Sequence, residues 1–117
     1  MDISTVERFL PLRPVVFAIL LLLRGDDLHG YALMKRVNER IGRRAILGPG
    51  TLYRTLKEMR ELGLLKYAPQ ARRTATDERR TYYRLTALGR EVVDAEAERL
   101  ASLMREARLL EARPRRA

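Results

Sequence analysis

The sequence predicts a mainly α chain with a small β component (α+β): a winged helix-turn-helix followed by a C-terminal dimerisation helix. Three observations predict it. Before residue 63 the apolar residues fall into stretches of helical period. Between residues 64 and 85 the period changes to that of extended chain, in two short runs joined by a basic loop. From Thr86 a long stretch returns to the helical period, with more apolar positions than a solitary projecting helix needs. On this reading residues 1–86 form the winged-helix part with its N-terminal helix, 87–113 the terminal helix and 114–117 a basic tail.

Each element has its own signal. Residues 2–10 carry Ile3, Val6, Phe9 and Leu10 at helical spacing, and Pro11 and Pro14 then break the chain. Pro14 suits the first turn of a new helix, which runs through an apolar stretch to Gly25 and, being apolar all round, is buried. Asp26 or Asp27 can cap the next helix, in which Leu28, Ala32, Leu33, Val37 and Ile41 recur near every 3.6 residues until Gly42 ends it. A short connector, Leu47 to Pro49, leads to a third helix with Leu52, Leu56, Met59 and Leu62 on one face and Gly63 as its C-terminal cap. Leu64, Leu65 and Tyr67 then read as one strand and Thr81, Tyr82, Tyr83 and Leu85 as a second, with the polar stretch Ala71–Asp77 between them. The last helix carries Leu88, Val92, Val93, Ala97, Leu100, Leu103, Met104, Ala107 and Leu110, and runs to about Arg113, ahead of Pro114.

Composition narrows the chemistry. The 117 residues include 24 Lys and Arg against 15 Asp and Glu, a formal charge of +9, with one histidine and no cysteine. Without cysteine there are no disulfides, thiolate metal sites or cysteine nucleophiles, and a reducing compartment, the cytoplasm, is the expected location. One histidine and no glycine-rich phosphate loop leave no catalytic cluster, so no enzyme, cofactor or metal is expected. The longest apolar run, Val15–Leu23, is nine residues, far short of the ~20 that span a bilayer, so no membrane partner is expected. Arg-Gly-Asp-Asp follows that run where a signal peptide needs small residues, so it reads as a core helix.

The positive charge is unevenly placed. Residues 66–90 hold seven basic against two acidic residues, whereas 91–112 hold three against six and look like the solvated face of a helix. The side of the third helix away from its Leu/Met face displays Thr51, Tyr53, Arg54, Lys57 and Arg60, long donors at helical spacing. A helix entering the major groove needs that reach, since arginine meets guanine edges bidentately and lysine, threonine and tyrosine bond phosphates. Arg72, Arg73, Arg79, Arg80 and Arg84 add a second cationic element suited to the phosphate backbone. Double-stranded DNA is the expected partner, and an adaptor module built on the same fold is the alternative.

The run His29-Gly30-Tyr31, then Pro49-Gly50-Thr51-Leu52-Tyr53 leading to Leu56 and Leu62-Gly63-Leu64-Leu65, then Arg80 to Thr86 and Gly89-Arg90, resembles the PadR family of bacterial transcriptional regulators. The resemblance covers residues 14 to 92. It implies a homodimer that binds a palindromic operator, usually as a repressor released by a small-molecule effector, often an aromatic acid or drug-like compound. Matched position by position, it makes Gly50 to Lys57 the start of the recognition helix and Arg72 to Arg80 the wing. Tyr53 matches a tyrosine that often touches the DNA backbone, and its ring can equally pack on the helix-turn-helix core. His29 is expected to be structural, and Tyr31 and Tyr82 to be core. The single terminal helix resembles the short subgroup, and with no tryptophan the tryptophan-lined drug pocket of some short relatives does not carry over.

The apolar stripe of the terminal helix needs a partner, because soluble proteins rarely leave such a patch exposed. A two-fold dimer through Val93, Ala97, Leu100, Leu103, Met104 and Leu110, with Val6 and Phe9 of the other copy's first helix, is the expected solution. It would set two reading helices about 34 Å apart, one turn of DNA.

Overall fold

The computed structural model describes residues 3–40, 46–69 and 80–115. Five helices and three short strands follow in the order α1 (Ile3–Glu7), α2 (Pro14–Gly25), β1 (Leu28–His29), α3 (Gly30–Arg40), α4 (Pro49–Glu61), β2 (Leu65–Tyr67), β3 (Tyr82–Leu85) and α5 (Ala87–Glu111). Pro14 occupies the first turn of α2, as its fixed φ favours. α2 is the hub: it packs on α3, β3 and α5, and Ile19 and Leu20 are fully buried. Burying such side chains contributes roughly 1.5–3 kcal/mol each. Leu33 and Val37 of α3, Leu52, Leu56 and Met59 of α4, and Leu65 and Leu85 of the strands close the same core.

Gly63 takes a φ of +81° and ends α4 in a Schellman turn: Gly63 N–H donates to Arg60 O, and Leu64 N–H to Met59 O at 2.9 Å. Leu64 thereby turns inward and β2 begins at once. Thr86 caps α5, its hydroxyl accepting from Gly89 N–H at 3.0 Å and donating to the Gly63 carbonyl. One turn therefore anchors both the end of α4 and the start of α5.

The structure departs from expectation at the start of α3. The sheet has three antiparallel strands in the order β1-β3-β2, because Leu28 and His29 pair with Tyr83 and Tyr82. α3 therefore starts at Gly30, and neither aspartate caps it. Asp26 accepts from Asp27 N–H, while the Asp27 carboxylate takes the Arg84 guanidinium bidentately at 3.0 and 2.6 Å. The cap is His29, whose Nδ1 accepts from Ala32 N–H at 3.2 Å. A two-residue strand has no period to read, so only its pairing with β3 reveals it. α1 is also shorter than the expected 2–10, and Ile41 and Gly42 lie outside the described residues.

The first half of α5 belongs to the protomer. Val93, expected at a dimer interface, is 1% exposed beside the equally buried Val92, and Val6 of α1 is 8% exposed within the same core. Phe9 packs on that core as well. Val6 and Val93 are thus buried inside one chain, where α1 folds onto its own α5, while Phe9 stays half-buried.

Glu96, on the stretch read as solvated, is 1% exposed. Its carboxylate accepts from Leu12 N–H at 2.6 Å and from the Arg99 guanidinium, tying the α1–α2 linker to α5. The Arg99 hydrogen bonds, helped by Leu12 N–H, hold the Glu96 carboxyl below the usual carboxylate range against the opposing effect of burial. Because the folded chain keeps Glu96 ionised at lower pH than the unfolded chain does, its stabilisation is complete above the ordinary carboxylate range and is lost as pH falls below it. Glu96→Gln is expected to lower the Tm near neutrality, with its curve converging on wild type as the solution is acidified. A constant gap at every pH would remove the charged carboxylate from the account.

Candidate nucleic-acid interface

Pro49 starts α4, and Gly48 before it supplies no side-chain cap. The first N–H groups, Gly50 and Thr51 included, thus form an open positive helix end of the kind that accepts anions. The apolar face of α4 is buried, which leaves Gly50, Thr51, Tyr53, Arg54 and Lys57 exposed on the opposite side. Thr55, on the inner side, donates its hydroxyl to Thr51 O at 2.8 Å. Arg54 has no carboxylate partner among the described residues, its Nη2 lying 3.5 Å from Thr51 Oγ1. Lys57 faces Glu61 at 3.9 Å in an exposed pair, a contact worth little in water and easily surrendered to a phosphate.

Tyr53 packs its ring on the start of α3 and stays half exposed. Its ring lies against Gly30 so closely that a Cβ there would come within 2.5–2.8 Å of it, yet the residue is 50% exposed. Tyr53 also shares a cavity of about 290 Å³ with His29, Gly30, Arg80 and Tyr83. The fold thus brings α4, the start of α3 and the loop end of the β2–β3 hairpin to one place. Arg80 sits there with Nη1 2.9 Å from His29 Nε2. Tyr83 opposite Tyr67 is buried, and burial together with the neighbouring Tyr67 and Tyr53 hydroxyls pushes its own hydroxyl above the ordinary tyrosine range, so it stays protonated.

Several expected positions differ. Tyr31, expected in the core, is 62% exposed; Tyr82 is half-buried, edge-on to the His29 ring. Arg84 is held by Asp27, which keeps the guanidinium firmly protonated, and is therefore engaged inside the protomer. Arg60 turns away from the outward face of α4 and stacks on Tyr67. Arg72, Arg73 and Arg79 lie outside the described residues. The sequence reading missed Lys35 and Arg36, exposed on α3 beside a cavity of about 360 Å³ shared with His29, Tyr31 and Arg80. Their signal was present: Lys35 lies one helical turn from Tyr31, on the face its ring marks.

The family model described as the transcriptional regulator PadR-like family matches residues 19–95. Solved structures share the fold. A PadR family transcription regulator from Clostridium difficile superposes with a TM-score of 0.69 at 24% identity, over 86% of this chain and 100% of that one. A PadR-like transcriptional regulator from Bacillus cereus superposes with a TM-score of 0.69 at 19% identity, over 86% and 93%. The adhesin competence repressor of Streptococcus pyogenes follows at 0.62 and 21% identity, over 89% and 69%. No curated protein matches the chain.

Proposed function

The chain belongs to the PadR-like family of transcriptional regulators, and from that premise we propose that it is a homodimeric, cytoplasmic repressor of a palindromic operator, released by a small-molecule effector. It is a DNA-binding winged-helix regulator and not an enzyme. No described helix is long and apolar enough to cross a membrane. The observation that carries the proposal is the outer side of α4, where Thr51, Tyr53, Arg54 and Lys57 stand exposed while Leu52, Leu56 and Met59 hold the helix from behind. In this reading Arg54 reads a base edge, while Gly50, Thr51, Tyr53, Lys57 and Arg80 meet phosphates, joined by Arg72, Arg73 and Arg79 of the wing.

Residues 1–86 are proposed as the DNA-binding unit and 87–113 as the dimerisation helix. What supports pairing is the second half of α5, where Leu103, Met104 and Leu110 are exposed along one side and Ala97 and Leu100 continue the stripe. The radius of gyration is 17.0 Å, against about 13 Å for a compact chain of this length, as a projecting helix requires. An effector seated between the paired helices would alter the spacing of the two reading helices and so release the operator.

A salt titration of duplex binding tests the proposal. Affinity is expected to fall by about 0.9 log unit per log unit of salt for each phosphate neutralised. Arg54→Ala is expected to lose ~1–3 kcal/mol of discrimination between operator and random duplex. Equal losses on both sequences would remove Arg54 from base reading. Indifference to duplexes in dilute buffer would remove the operator-binding function itself.

A further inference from the structure

We propose that Arg60 is a positioning residue that sets the angle between the reading helix and the β2–β3 hairpin, and not one of the cations that meet DNA. The proposal rests on the reading above.

Arg60 lies in the last turn of α4, and its guanidinium carbon sits 4.4 Å from the centroid of the Tyr67 ring. Tyr67 ends β2 and pairs in register with Tyr83 of β3, the ring centroids 5.6 Å apart. Tyr83 is buried in the core. Arg60, Tyr67 and Tyr83 thus form a continuous column from the end of the reading helix, across the hairpin, into the protein interior. Among the described residues Arg60 has no carboxylate partner, and its Nε is buried without a hydrogen-bond partner. A cation placed this way is held by the face of the ring. Arg54 and Lys57 on the same helix are exposed, whereas Arg60 is half-buried.

The arrangement has a mechanical consequence. The hairpin is pinned by Leu65 and Leu85, and β3 is held further out by Tyr83 and by its pairing with β1, whereas on the β2 edge Lys66 and Tyr67 are exposed ahead of the buried Ala68. From the side of α4, Arg60 reaches this edge at Tyr67. Without it the β2 edge is released from α4 while β3 stays held by Tyr83 and by its pairing with β1, so the outer part of the hairpin loses its fixed angle to α4 and its cations lose their register with the phosphates.

The test has two arms. In the free protein, the Tyr67 ring current should shift the Arg60 side-chain protons upfield in the NMR spectrum, and Tyr67→Leu should abolish the shift. On duplex DNA, the dependence of log affinity on log salt is compared for wild type, Arg60→Met, Tyr67→Leu, Tyr67→Phe and the Arg60→Met/Tyr67→Leu double variant. Arg60→Met and Tyr67→Leu should each lower the slope by about one to two, the share of one or two phosphates per protomer. The double variant should lose no more than either single, since both remove one contact, and Tyr67→Phe should match wild type. Additive losses, or a wild-type slope in Tyr67→Leu, would mean that Arg60 touches DNA itself and overturn the proposal. So would a Tyr67→Phe variant as impaired as Tyr67→Leu, or the absence of an upfield shift. A wild-type chain that ignores duplexes brings down the underlying reading instead, a result the salt arm reports before any variant is compared.

Discussion

Leu103→Asp is expected to yield a chain that sediments as a single protomer and binds a palindromic duplex about 10²–10⁴-fold more weakly than wild type, the advantage that linking two binding modules supplies. Leu103 is 54% exposed in the protomer, so a carboxylate there costs the fold little. Leu110 lies two turns further along the same side, and Leu100 and Met104 flank it. In a paired α5 an aspartate at 103 would place a charge, unpaired, within an apolar seam. Each separated copy would still carry an intact α4, so weak binding with a shallower salt dependence should persist. Sedimentation equilibrium and fluorescence anisotropy on operator DNA check the two halves of the expectation. A variant that sediments at the wild-type mass and keeps the wild-type operator affinity would take the α5 stripe out of the proposed interface.

Gly89→Ala is expected to destabilise the protein by ~1–3 kcal/mol or more, the cost of forcing an added group into a packed site. Helix propensity alone argues the reverse, since glycine inside a helix is worth about 1 kcal/mol less than alanine. Position decides the sign. Gly89 lies in the first turn of α5, pressed on the carbonyl of Leu64, and an added Cβ would overlap that oxygen and lie 3.0 Å from its carbon. The opposing atoms are backbone, fixed by the Schellman turn at Gly63 and by Thr86 N–H donating to Leu64 O at 3.1 Å, so they cannot move aside cheaply. Urea unfolding followed by circular dichroism measures the effect, with Gly25→Ala, at a site with open space around it, as the control. A midpoint for Gly89→Ala equal to or above wild type would show that α5 and the turn after α4 are not in this contact.

The helices were legible because their information is local. Leu52, Leu56 and Met59 recur within one or two turns of each other and decide which side of α4 faces the core, so the opposite, exposed side follows directly. Gly63 was legible for the same reason, since a cap answers to backbone groups three or four residues away. Arg60 shows where that kind of reasoning ends. Helical spacing placed it with Arg54 and Lys57, but its partner, Tyr67, belongs to another element and draws the guanidinium toward the hairpin.

By itself, then, the sequence determined the order of the helices and of the two hairpin strands, the two faces of α4 and the cationic character of that region. Tertiary structure alone decided which charged groups are free to meet a partner. Asp27 was open to capping a helix until Arg84, 57 residues away, claimed it. Glu96 looked solvated until Leu12, 84 residues away, turned its backbone N–H toward it. Val6 and Val93 looked available to a second copy until α1 folded onto its own α5. The physical reason is common to all three: periodicity reports a residue's neighbours within a turn or two, whereas burial and pairing depend on contacts between segments that only folding brings together.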